Sequence, residues 1–220
     1  MKSAVTLLFC LVLVACQQGP QQGFAAPTAL EQHGLKLLSA KQYAEARGVF
    51  RQAFDTNSRS LVAVLGVAQA AVGCGDRGEA EGALRHAMET APRGADAQAL
   101  IGRAALQMAW VSFTADPVLA RQYATIAARF LQGAAQRNPE LPGLALQLGT
   151  AQMLAGKLAL AEPLLLRAFD QERSAHVAAL LTRCWNLMGT PDRAKTLLES
   201  LRKAGPVDLG VEAALSAPAR

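Results

Sequence analysis

The chain has 220 residues, 51% of them hydrophobic, 18% charged and 5% aromatic, with a formal net charge of +5; this is enough for a sizeable core and too apolar for general disorder. Ala and Leu supply most of the apolar stock and strand-favouring residues are thinly spread, which argues against all-β and alternating α/β folds and predicts an all-α one. The 16 Arg and 6 Lys are scattered without a basic run, so no nucleic-acid partner is expected.

At the start of the chain, Met1 and Lys2 give a short positive segment, and 4–14 (AVTLLFCLVLV) gives an apolar run of signal-peptide length, too short to span a bilayer. Leu13-Val14-Ala15-Cys16 follows, and it resembles the lipobox of bacterial lipoproteins. The resemblance implies a signal peptide over 1–15, acylation of Cys16 and a mature chain held by its lipid in the bilayer. Gln17 stands where an Asp would retain many such proteins in the inner membrane, so the implied address is the outer membrane, facing the periplasm. The alternative is an ordinary signal peptide with an incidental cysteine. Residues 16–26 read as the lipidated cysteine and a flexible linker. Cys10 leaves with the signal, and Cys74 and Cys184 are expected as small buried apolar residues without a disulfide.

Beyond the linker the chain repeats itself. Ala46 pairs with Ala80, Phe50 with Leu84, Ala53 with Ala87 and Ser58 with Pro92, every pair 34 residues apart, and Gly34, Ala68 and Gly102 keep the same step. This spacing resembles the tetratricopeptide repeat, a helix-turn-helix unit. The resemblance implies an all-α solenoid of about five units forming a right-handed superhelix over 27–208, divided as 27–60, 61–94, an enlarged 95–141, 142–174 and 175–208. The physics fits the spacing: two short antiparallel helices cannot bury their apolar faces alone, and small residues let helices approach while a larger one fills the remaining hole. A plain helical bundle would need the Ala spacing to be coincidental. The enlarged unit is read as two lengthened helices, Asp96 to Phe113 and Pro117 to Gln136, with Asp116 or Thr114 capping the second. Thr182 departs from the small-residue pattern, and 209–220, lacking a partner repeat, is expected to be a flexible tail.

Candidate chemistry is sparse. His33, His86 and His176 fall on separate units, and none belongs to HExxH or has a second ligand one turn away, so no metal, cofactor or catalytic residue is expected. Gly73-Cys74-Gly75-Asp76-Arg77-Gly78 looks Gly-rich but falls on the turn between two helices, where glycine supplies a left-handed backbone.

The tetratricopeptide resemblance implies a ligand groove on the inner faces of the first helices. There it predicts a partner-binding set of Leu35, Leu38, Val62, Leu65, Gln69, Val72, Arg103, Leu106, Leu146, Met153 and Arg183. Such an apolar trough suits a partner helix or extended hydrophobic segment, and Leu65 and Leu146 are expected to accept Glu without loss of helicity. The expected function is a non-enzymatic, lipid-anchored adaptor for an envelope protein. Its bulk resembles the pilotin lipoproteins of type IV and Flp pilus assembly, which implies a secretin or pilus component as partner; a scaffold for cell-wall hydrolases or synthases is the alternative, and convergence of carboxylates on a histidine would favour an enzyme.

Overall fold

The computed structural model describes residues 26–217, which contain eleven α-helices and no strand. They fall into two compact units, one ending at Pro142 and the other starting at Gly143. The architecture is an all-α helical repeat solenoid built from antiparallel helix pairs.

The first unit holds three pairs: α1 (Ala29–Ser39) with α2 (Tyr43–Thr56), α3 (Leu61–Gly73) with α4 (Arg77–Thr90), and α5 (Ala95–Ser112) with α6 (Pro117–Arg137). Each pair packs on itself, and the first helices also pack side by side, α1 on α3 and α3 on α5. Local chemistry sets the boundaries. The Glu31 amide donates to the Thr28 hydroxyl and the Thr28 amide to the Glu31 carboxylate at 2.6 Å, a reciprocal capping box. Ser60 caps α3, and Asp76 caps α4. In the enlarged pair the cap is Asp116, whose carboxylate accepts from the Leu119 amide at 2.9 Å, with Pro117 opening the helix. Helices α5 and α7 instead begin at Gly94 and Gly143, which carry no capping side chain.

The core of this unit is a close approach of backbone to ring. Phe50 is fully buried. Its ring lies against Gly34 of α1, where an added Cβ would come within 2.7 Å of it, and still closer against Gly66 of α3. Leu38, Ala46, Val67 and Ala70 complete this cluster, with Leu35, Tyr43 and Val62 packed on its edge. The motif recurs: an added Cβ on Gly102 would sit 2.6 Å from Leu131, and one on Gly149 would sit 3.0 Å from Leu165.

The turn between paired helices also recurs. The Asp76 amide donates to the Ala71 carbonyl, Lys157 to Gln152, and Thr190 to Trp185, each at 2.9 Å, closing a Schellman turn whose preceding residue is left-handed. That residue is Gly75, Gly156 and Gly189, but in the first pair it is Lys41, with φ 61°.

The second unit holds α7 (Leu144–Leu154), α8 (Leu158–Gln171), α9 (Ala175–Leu187), α10 (Asp192–Ala204) and α11 (Leu209–Leu215). The last helix corrects the expectation of a flexible tail over 209–220. Asp208 caps it, Val211 and Leu215 are buried, and it packs on α9. Thr182 explains both departures at once: its hydroxyl donates to Ala178 within α9 at 3.0 Å and to the Ala214 carbonyl of α11 at 3.1 Å. A glycine there would leave that buried carbonyl contact unmade. Three helices meet at Glu162 of α8, which accepts from the Trp185 indole at 2.7 Å and from the Arg193 guanidinium. Burial alone would raise the Glu162 pKa, but these two hydrogen bonds and the Arg193 charge more than offset it and hold the carboxyl below its ordinary value.

Gly34→Ala should lower stability by about 1–3 kcal/mol through overpacking against Phe50, while Lys41→Gly should raise it by about 0.5–1 kcal/mol by relieving a left-handed side-chain clash; urea unfolding of the two variants against the parent checks both signs. Because the folded Glu162 pKa is depressed, its contribution is complete above the ordinary carboxylate range and is lost as pH falls below about 4.5. Glu162→Gln should therefore flatten part of the acid limb of a stability-versus-pH curve, and an unchanged limb would refute the assignment.

Candidate functional site

Leu35, Gln69 and Arg103 lie 34 residues apart and occupy the same place on α1, α3 and α5. Since these helices are neighbours, the three side chains form one row across the first unit, running from apolar to amide to guanidinium, and all three are partly exposed. Val62 and Val72 on α3 flank the row and are also partly exposed. The Arg103 guanidinium donates to the Pro142 carbonyl at 3.4 Å.

The remaining residues expected in the first unit's groove are core. Leu38, Leu65 and Leu106 are only 3–5% exposed. The reason lies in α3, whose sequence LVAVLGVAQAAVG is apolar almost all round and is covered by neighbours on several sides; inner-face leucines therefore pack on adjacent first helices instead of facing solvent. Glu31, at another inner-face position, is 4% exposed. Besides closing the α1 cap it accepts from the Ser60 hydroxyl, and Ser60 in turn accepts from the Ala63 amide at 3.1 Å to cap α3. Its carboxylate wires two helix starts together.

In the second unit, Leu146 and Met153 are likewise buried, because α7 is enclosed on nearly every face. Arg183 is exposed on α9, in line with exposed Ala179 and Leu187, one turn away on either side. Leu187, 57% exposed, is not among the expected residues; the i, i+4 spacing from Arg183 is the signal that would have found it. Cys16 lies outside the described residues.

The groups that could support chemistry are dispersed. His33 is exposed, His86 meets the edge of the Phe54 ring at 5.7 Å, and His176 has its Nε2 buried without a hydrogen-bond partner, its pKa lowered by that burial. Among the described residues no group of three or more His, Cys, Asp and Glu is placed to hold a metal ion. The two described cysteines are free thiols. Cys184 is buried, with its thiol pushed up to about 11 by that burial and by the Glu162 charge, so it is a poor nucleophile. Cys74 is exposed, contrary to expectation, because it sits at the solvent end of α3 between Gly73 and Gly75.

With the geometry in place, the comparisons agree on its class. Residues 37–104 match the tetratricopeptide repeat family, which spans the end of α1 through the first half of α5. Among solved structures, the thermophilic tetratricopeptide protein TTC0263 of Thermus thermophilus is 21% identical, with a TM-score of 0.57 over 85% of this chain and 95% of that one; it shares the fold. The pilF protein of Pseudomonas aeruginosa is 17% identical over 84% of this chain and 94% of its own, with a TM-score of 0.31, too low to assign a common arrangement. No curated protein matches the chain in sequence. The chain thus has the fold of a protein-interaction scaffold.

Leu65→Glu should cost more than about 4 kcal/mol, since it places an unpaired charge in the core, whereas Val72→Glu should cost about 1 kcal/mol or less. Far-ultraviolet circular dichroism and thermal melts of both variants check this; a Leu65→Glu protein that melts like the parent would return Leu65 to the surface.

Proposed function

We propose that the protein is a non-enzymatic adaptor, tethered to the outer membrane through acylated Cys16, whose first unit takes a segment of another envelope protein. The observation that carries this reading is the Leu35–Gln69–Arg103 row with Val62 and Val72 beside it: partly exposed side chains of graded polarity on three parallel helices, in a chain whose titratable groups are scattered. Such a row offers apolar contact at one end and charge-assisted hydrogen bonding at the other, the combination that orients an amphipathic partner segment. A secretin or other pilus component is the partner suggested by the lipobox and repeat resemblance. The lipid supplies effective concentration: an adaptor confined to the membrane meets membrane-bound partners far more often than a free one does.

Two measurements test this. Cys16→Ala should move the protein from the membrane to the soluble fraction, and retention at the membrane would overturn the anchor. A photo-crosslinker in place of Gln69 should capture one secreted or envelope protein in cells, and Val72→Glu should abolish that adduct while the melting temperature holds; an adduct unaffected by Val72→Glu would place the partner on another face.

A further inference from the structure

The shortest helix is held in an unusual way. α11 has seven residues, below the length at which a helix persists alone in water, so it is helical because it is docked. It begins at Leu209, 34 residues after Ala175 opens α9, and Asp208 caps it as Ser174 caps α9. A Cβ added to Gly210 would lie 3.0 Å from the Ala175 Cβ, so only a very small residue fits there. Val211 and Leu215 are each 2% exposed, Glu212 accepts from Arg202 of α10, and the Ala214 carbonyl accepts from Thr182. The outer side contributes nothing to this hold: Leu209 is 82% exposed and Ala213 is exposed. A segment at 205–208, opening on Gly205 at φ 153°, connects it to α10.

The surface that α9 and α10 present to α11 therefore reads a short pattern, Gly210-Val211-Glu212-Ala213-Ala214-Leu215, that is, small, apolar, acidic, any, small, apolar. We propose that this surface is a second partner site, that its ligand is an amphipathic helix of another protein carrying that pattern, and that α11 is the chain's own occupant, displaced when the partner arrives. The proposal rests on the adaptor reading and adds to it a site in the second unit that stays covered until a competitor appears. Displacement is feasible because a longer partner helix brings more of its own helicity than seven residues can, while α11 has in its favour only the effective concentration of its tether.

The test uses the full chain and a fluorescent peptide with the sequence of 206–217. Val211→Asp/Leu215→Asp should vacate the site and bind this peptide roughly tenfold or more tighter than the parent, whose tethered helix competes. A peptide with Arg in place of the acid should bind that variant several-fold more weakly, since it faces Arg202. Ala175→Cys/Gly210→Cys, in a Cys74→Ser background, should bind no peptide when oxidised and regain the parent's binding on reduction. A vacated variant that keeps its helix content but ignores the peptide, or an oxidised chain that binds as well as the reduced one, overturns the proposal. Should the vacated variant fail to fold, hydrogen exchange on the parent decides: α11 amides exchanging about tenfold or more faster than those of α9 support a detachable helix, and exchange in step with α9 overturns it. Val72→Glu should leave peptide binding unchanged, so failure here and failure of the first-unit face are read separately.

Discussion

A ring pressed between two backbones governs the first unit. Phe50 belongs to the second helix of one pair, yet it needs Gly34 from its own first helix and Gly66 from the next pair to make room. Core packing is dense enough that one methyl group at either glycine must displace the ring. The contact therefore joins neighbouring pairs as firmly as it joins the helices within one. The other small residues serve the same end: Ala46, Ala80 and Ala127 are fully buried because helices approach closely over them. Aromatic poverty follows, since interfaces this close have few holes large enough for a ring.

Much of this is legible in the sequence because it is periodic. Gly34, Ala46 and Phe50 stand in a 34-residue register that a single chain displays to itself, and Asp116-Pro117 is a helix start written in two residues. What is not legible depends on depth and on non-repeating contacts. The register assigns Leu65 and Val72 to the same face of α3, but which is core and which is partly open depends on how far the flanking helices reach over each. α11 escapes the register because its short sequence lacks a recognisable second half, and because its partner, Thr182, resembles a lapse in the pattern until Ala214 is seen beside it. Cys74 departs from expectation for a related reason: cysteine's preference for the interior says nothing about a residue at the very end of a helix.

The functional reading draws on what the array does with charge. Its buried acid, Glu31, is spent on two helix caps, and its best-connected one, Glu162, joins three helices. Polar groups that could act on a ligand are instead spread along faces, one per helix, at the spacing of whole repeats. That distribution suits the recognition of an extended object and is unsuited to concentrating reactivity on one bond.

The two glycine starts bear on how such a chain can change. Gly94 and Gly143 bracket the enlarged pair, and neither provides a side chain for the free amides of the helix it opens. Water must serve those amides, so both junctions are already adapted to solvent. A segment bounded by hydrated joints can be lengthened without breaking a side-chain cap at either border. The pair between them is also the one whose helices reach 18 and 21 residues. In genetic terms, the chain has two permissive seams, and its extra length lies between them.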